Sequence, residues 1–392
     1  MNYPQIILKK SKEQSLKRRH PWVFSGAIDQ LPFHIYEGDL VEVLDYHRNF
    51  LGIGHYQPDS IAVRILSFNN EPINQAFWNK KIETAYIKRK NLGLIDNPST
   101  NVFRLIHGEG DELPGLIADY YNGIVVIQCH SAGMYLQRNA IAQAIKNVFP
   151  EIKAIYNKSF LTLPPLFNNK EADGFLWGEH STPIEIIENN LRFNIDFIEG
   201  QKTGFFIDQR ENRMLLGSLS KNKKVANLFG YTGGFAIYAA HYGASEVINV
   251  DSSAKALEMA TNNYQLNKFT QIKNICSDVN DFFKACQEHY DIVILDPPAF
   301  AKHHKHREKA LLAYKNLNIK GLKLLSKGGF LFTFSCSQAI SANDLRQAIF
   351  VAAANEKRNV SILYQLHQPA DHPISIFHPE GEYLKGFVLK VE

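Results

Sequence analysis

The apolar and polar positions of the chain fall into three regions of different period. Over residues 1–72, short apolar runs at Ile6 to Leu8, Asp39 to Leu44, Phe50 to His55 and Ile61 to Leu66 are separated by turn residues such as Glu37-Gly38. This predicts a small, barrel-like β domain. Over residues 75–92 the period lengthens, with Trp78, Ile82, Ala85 and Arg89 at helical spacing. The second region, 73–188, continues with a strand at Gly123 to Cys129, a helix over Tyr135 to Val148 and a Pro164-Pro165 loop. It reads as α+β.

Ile184 to Ile187 and Leu191 to Ile195 flank Asn189-Asn190, a pair that tolerates left-handed backbone angles, so a hairpin is expected to lead into a third domain, 189–392. From residue 224 strands and helices alternate: strand Val225 to Phe229, helix Gly234 to His241, strand Val247 to Val250, helix Ala254 to Leu266, and strands Ile272 to Cys276 and Ile292 to Leu295. A helix from about Lys309 to Leu325 and a strand at Phe330 to Phe334 complete the series. Such order implies βαβ crossovers and a mostly parallel sheet covered by helices, an α/β fold. Ser341 with Asp344 three residues on is the expected cap of the last helix.

The 392 residues are 45% hydrophobic and 21% charged, which excludes disordered and fibrous classes. The formal charge is only +4. Residues 1–20 hold six cations (Lys9, Lys10, Lys12, Lys17, Arg18, Arg19) against Glu13, so the positive excess lies at the N-terminal end and any grip on phosphate begins there. The four cysteines, Cys129, Cys276, Cys286 and Cys336, form no CxxC pair, which fits a reducing cytosol. No apolar run approaches the roughly 18 residues of a membrane span, and no signal-peptide pattern appears. A cytoplasmic protein without a membrane partner is expected.

Ligands of open α/β sheets sit beyond the carboxyl ends of the strands. There the first strand runs into Gly230-Tyr231-Thr232-Gly233-Gly234, the second ends at Asp251 and the third at Cys276-Ser277-Asp278. A carboxylate about 20 residues after such a glycine turn suits ribose hydroxyls, and Asp278 suits an adenine amino group. A dinucleotide needs G-x-G-x-x-G for its pyrophosphate, whereas here Thr232 takes the second glycine's place. S-adenosylmethionine, which carries no phosphate, fits better. Each of these residues also suits a plain turn or cap; it is their coincidence at three strand ends that points to a cofactor.

The fourth strand ends in Asp296-Pro297-Pro298-Ala299-Phe300. Amino-group methylases hold a target nitrogen with a similar loop, but Ala299 stands where they have an aromatic. The fifth strand ends in Ser335-Cys336-Ser337. Cys336 is either a small apolar residue or a nucleophile. As a thiolate it would add to C6 of a pyrimidine and make C5 nucleophilic, with Asp296 holding N3 and the exocyclic amine. The other three cysteines read as structural.

The strip Gln201 to Arg210 combines a cation, a glycine and two aromatics, and can close over a cofactor or stack a base. Candidate cofactor contacts are therefore Phe229, Gly230, Thr232, Gly233, Asp251, Ser252, Asp278, Val279 and Asp296, with Lys202, Thr203, Gly204, Phe206, Gln209 and Arg210 from the strip. Lys17, Arg18, Arg19 and Trp22 form one candidate RNA-binding group, and Lys302, Lys305 and Arg307, in a basic lid after Phe300, a second. The histidines beside that lid lack carboxylate or cysteine partners at ligand spacing, so no metal is expected.

Taken together, Gln201 to Arg210, Asn227 to Phe235, Leu295 to Lys302, Phe332 to Ser337, Lys17 to Phe24 and His107 to Leu116 resemble the bacterial 23S ribosomal RNA cytosine-C5 methyltransferases that carry an N-terminal PUA domain. The resemblance spans nearly the whole chain. It implies a PUA RNA-binding barrel, a central α+β domain and a C-terminal Rossmann-like methyltransferase domain. It also implies S-adenosylmethionine as donor, 23S rRNA or a large-subunit precursor as partner, and Cys336 as the family's cysteine; a homodimer is compatible with it. Many related RNA methylases keep a second cysteine after the proline of the Asp loop, where this chain has Pro297, Pro298 and Ala299.

Overall fold

A computed structural model describes residues 3–167, 173–301 and 304–392. The first six strands are β1 (Gln5–Leu8), β2 (Trp22–Phe24), β3 (Ile28–Gln30), β4 (Leu40–Leu44), β5 (Phe50–Tyr56) and β6 (Ile61–Ser67), hydrogen-bonded in the order β2-β6-β5-β4-β1-β3. All pairs are antiparallel except β1 with β4. Their inward positions, among them Ile6, Leu8, Val41, Val43, Val63 and Ile65, form one apolar cluster with Leu16. Strands β2 and β3 have three residues each, too few for an alternation to be read.

After the short α1 (Gln14–Lys17) between β1 and β2, and α2 (Gln75–Asn91), started by the Asn74 side chain accepting from Phe77 N, come β7 (Val102–His107), β8 (Leu116–Tyr121), β9 (Ile124–Cys129), α3 (Ala132–Leu136), α4 (Arg138–Val148), β10 (Ala154–Asn157) and β11 (Gly174–Trp177). The five strands make a sheet in the order β11-β10-β9-β8-β7. Where one helix is expected over 135–148, there are two. The Ser131 hydroxyl caps Met134 N and starts α3 early, and the backbone leaves helical angles at Gln137 (φ −91°, ψ 3°). Gly133 is required in α3, because a Cβ there would lie 2.1 Å from the ring of buried His55.

Two arginines form bidentate pairs here, Arg89 fully buried and Arg104 half-buried. Arg89 donates to both oxygens of Asp111 (2.7 Å each) and to Asp371 O, and Arg104 donates to both oxygens of Asp119 (2.8 and 2.9 Å). The Asp371 carboxylate in turn accepts from Arg104 N at 3.0 Å. These bonds fasten residues 370–381 into the first of two compact units, which comprises residues 1–187, 195–207 and 370–381.

The two strands β12 (Ile184–Glu188) and β13 (Leu191–Ile195) form the expected ribbon around Asn189 and Asn190, both with positive φ (52° and 64°). The second unit, residues 188–194, 208–369 and 382–392, is built on one sheet. Its elements are α5 (Arg210–Ser218), β14 (Lys224–Leu228), α6 (Gly234–His241), β15 (Glu246–Asp251), α7 (Ala254–Leu266), β16 (Ile272–Cys276), α8 (Val279–Ala285) and β17 (Tyr290–Leu295). They continue with α9 (Arg307–Leu324), β18 (Leu325–Ser335), α10 (Ala342–Asn355), β19 (Val360–Leu366) and β20 (Lys385–Val391). The strand order is β16-β15-β14-β17-β18-β20-β19, parallel from β16 to β18, with β20 antiparallel to both neighbours. This is the α/β sheet that the alternation predicts.

The expected capping box of α10 is formed, with Ser341 N donating to Asp344 and Asp344 N to Ser341 Oγ (2.9 and 3.1 Å). Strand β18 starts five residues earlier than expected: Leu325 pairs with Tyr290 before a bulge that carries Gly328 at φ 76°, and regular pairing resumes at Phe330. None of the described helices is long and apolar enough to cross a membrane.

Because Arg89 and Asp111 are both fully buried, removing one partner strands the other's charge. Asp111→Ala is expected to destabilise the first unit by about 3–5 kcal/mol, read as a lower midpoint in urea unfolding.

Candidate active site

Strand register decides what meets at the carboxyl edge of the large sheet. Leu228 of β14 lies opposite both Val250 of β15 and Leu295 of β17, and Leu295 lies opposite Thr333 of β18. Phe229 and Asp296 each follow their strand's last paired residue by one position, and Asp251 is the last residue of β15, paired with Cys276 of β16. Cys336 lies three residues beyond Thr333. The candidates drawn from four separate stretches of sequence thus share one edge of one sheet.

The glycine turn is held in an unusual shape. Phe229 (φ 61°), Tyr231 (φ 45°) and Gly233 (φ 82°) all adopt left-handed backbone angles, costly for the two aromatics. Three backbone donors fix them: Gly230 N to Val250 O (2.9 Å), Tyr231 N to Asp251 Oδ2 (2.9 Å) and Gly233 N to Gly230 O (2.8 Å). Asp251 therefore pins the turn with one oxygen, while the other accepts from Ser253 N (2.9 Å). Each oxygen keeps a second acceptor site for a ligand hydroxyl.

Beneath the turn runs a ladder that sequence reasoning missed. Asn227, Asn249 and Asn274 are in register on β14, β15 and β16, and their amides link at 2.8 and 3.1 Å. Tyr264, its hydroxyl kept protonated by burial, donates to Asn274 at 3.1 Å. A Cβ on Gly230 would lie 1.9 Å from Asn249 Oδ1, and one on Gly233 would lie 2.5 Å from the Tyr264 hydroxyl. Only glycine lets the backbone settle onto these groups.

At the third strand end, Asp278 caps α8 by accepting from Asn280 N at 2.8 Å with Oδ1. Its second oxygen remains for a ligand. Beside it Ser252 is exposed, Val279 is buried, and Thr232 is nearly so.

Gln209 Nε2 donates to Asp296 Oδ2 at 3.0 Å, and Asn212 Nδ2 orients Gln209 through its Oε1 at 2.6 Å. Of the strip Gln201 to Arg210, only Asp208, Gln209 and Arg210 belong to the second unit. In the first unit, Thr203 is buried and donates to Asp119 (2.6 Å), Gly204 has φ 119°, and the Lys202 ammonium lies 5.5 Å from the centre of the half-buried Phe206 ring.

Cys336 is half-buried, between two serines with no exposure at all. The Ser335 and Ser337 hydroxyls both bond the Tyr314 hydroxyl of α9 (2.8 and 2.9 Å), and Lys385 Nζ donates to Ser337 O at 2.8 Å. Sequence gave no hint of Tyr314 or Lys385, which are 22 and 49 residues away. No disulfide engages any cysteine; burial pushes the Cys129 thiol up to about 12, and that residue is inert.

The candidate RNA-binding residues divide. Lys17, Arg18, Arg19 and Lys305 are exposed. Trp22 is half-buried and neither free nor part of the barrel core, since its Nε1 donates to Glu109 at 2.9 Å and its ring meets His378 edge-on at 4.3 Å. Arg307 is tied to Asp344, and Lys302 lies outside the described residues. Among the described residues no His, Cys, Asp or Glu cluster is arranged to hold a metal.

Gly230→Ala is expected to push Asn249 aside and to lower S-adenosylmethionine affinity at least about tenfold, a loss of roughly 1.4 kcal/mol, in titration calorimetry.

The chain matches a family model described as S-adenosylmethionine-dependent methyltransferase over residues 103–376, and a PUA-like domain over residues 6–68. It is 38% identical, over 99% of its length and 98% of the relative's, to a protein of Alteromonas mediterranea named Ribosomal RNA large subunit methyltransferase I. An Escherichia coli protein of the same name is 36% identical over 99% of both chains. Among solved structures, SMU.776, a methyltransferase complexed with SAH, superposes with a TM-score of 0.86 at 24% identity over 98% of this chain and 99% of that one, which supports the fold. With a family model spanning most of its length and such relatives matching it end to end, the chain belongs to the S-adenosylmethionine-dependent methyltransferases, in one family with the proteins named Ribosomal RNA large subunit methyltransferase I.

Proposed function

We propose that this protein methylates C5 of a cytosine in large-subunit ribosomal RNA through a transient bond from Cys336 to C6 of the base. The ribosomal substrate rests on the names of the relatives, and the exposed Lys17, Arg18 and Arg19 supply cations for its phosphates. The chemistry rests on Cys336. The observation that carries it is the contrast within Ser335-Cys336-Ser337: both serines are buried and anchored to Tyr314, while the sulfur-bearing residue between them keeps solvent access.

S-adenosylmethionine, when bound, supplies an electrophilic methyl group, and Phe229, Gly230, Thr232, Gly233, Asp251, Ser252, Asp278 and Val279 are the residues that would hold it. Cytosine C5 is too weak a nucleophile to react unaided. Addition of the Cys336 thiolate to C6 moves an electron pair toward C5 and converts the ring to an enamine. Asp296, oriented by Gln209, accepts from the exocyclic amine and steadies the ring. Once C5 has been alkylated and has lost its proton, the C6–S bond breaks and the thiolate leaves.

RNA carrying 5-fluorocytidine at the target cannot lose a C5 proton, so wild-type protein is expected to remain bonded to it and to migrate as a covalent adduct on a denaturing gel. Cys336→Ala should form none. Full methyl transfer by Cys336→Ala would instead move the assignment to an exocyclic amine, which needs the Asp296 loop but no thiol. Asp296→Asn should slow single-turnover methylation by about a hundredfold or more, the scale of losing one positioned polar contact to the reacting group.

A further inference from the structure

Lys385 opens β20 directly opposite Ser335 in the antiparallel pairing with β18, and is 4% exposed. Its Nζ donates to the carbonyl of Ser337, the residue after Cys336, at 2.8 Å. A buried ammonium is costly unless an anion faces it, and a methionine would fill the same space without that cost. Among the described residues Lys385 forms no ion pair with a carboxylate. The charge acting most strongly in favour of its protonated form is that of Cys336, ahead of Glu382 and Asp344. Asp344 is already engaged by Arg307 and by Ser341 N.

The other titratable neighbours leave this relation intact. Burial raises the Tyr314 hydroxyl on α9, so it stays neutral and serves as a hydrogen-bonding post for Ser335 and Ser337. On α10 the Arg346 guanidinium lies over the Phe387 ring at 5.8 Å.

We propose that Lys385 is a positioning residue for the cysteine chemistry: its ammonium holds Cys336 as the thiolate, and its bond to the Ser337 carbonyl fixes the backbone that presents the sulfur. The inference rests on the cysteine reading above. Ionisation breaks the S–H bond, leaves the electron pair on sulfur and passes the proton to solvent. Burial lowers Lys385 to about 8, so at neutral pH the cation is largely present. As pH rises through that value the positive charge is lost.

The test is the rate of Cys336 alkylation by iodoacetamide in the full-length protein from pH 5 to 10. Mass spectrometry of the Cys336 peptide keeps exposed Cys276 out of the reading. The wild-type midpoint is expected below the roughly 8.5 of an ordinary thiol. Lys385→Gln keeps an N–H donor for Ser337 but removes the charge; it should raise the midpoint by about one unit or more, a tenfold slower reaction at pH 7 that recovers at high pH. Lys385→Arg should stay near wild type. A purely structural role would scale the rate at every pH without moving the midpoint.

A wild-type midpoint at or above the ordinary value overturns the proposal without any variant, and so does an unchanged midpoint in Lys385→Gln. Failure of the covalent mechanism is separate: a shifted midpoint together with an RNA adduct that persists in Cys336→Ala upholds the lysine–cysteine pair and sinks the nucleophile.

Discussion

Parallel strands that end level with one another are the constraint on which the rest of the second unit depends. Buried on both faces, β14, β15, β17 and β18 have little freedom to slip, because a shift of one residue would move every side chain to the opposite face and unpack both layers. Their pairing at Leu228, Val250, Leu295 and Thr333 therefore fixes the height at which the glycine turn, Asp251, Asp296 and Cys336 emerge. Chemistry drawn from more than 100 residues of sequence is gathered by hydrogen-bonded register alone.

Polar groups inside the unit refine what the register provides. The Asn227–Asn249 pair under Gly230, the Tyr314 hydroxyl between two serines, and the Arg213 guanidinium bound to both oxygens of Glu188 are all buried. Each would be costly if left unpaired, so each tolerates essentially one arrangement. Their positions explain why turn and cysteine loop are held by side chains from other elements rather than by local sequence. Left-handed angles at Phe229 and Tyr231 are sustained in the same way, by the hydrogen bonds from Gly230 and Tyr231 to β15.

Much of this was legible from periodicity. The alternation after residue 224, the Asn189-Asn190 turn and the Ser341 cap are local signals, and local signals survive folding. Other features were not readable for stated reasons. Three-residue strands such as β2 and β3 show no period. The early start of α3 hangs on one hydroxyl, Ser131, and the bulge that lengthens β18 on a glycine with positive φ. At the candidate site, Asp251, Asp278, Asp296 and Cys336 announce themselves as strand-end residues. Asn249, Asn274, Tyr314 and Lys385 look like ordinary polar positions until register brings them beside their partners.

The central claim is that carbon 5 of a cytosine, rather than a nitrogen, receives the methyl group. Large-subunit RNA labelled with tritium at cytidine C5 distinguishes the two, because substitution at C5 must expel the hydrogen already there. Incubation with S-adenosylmethionine should release one tritium to water for every methyl group incorporated. Methyl incorporation with all the tritium retained in the RNA would contradict the account.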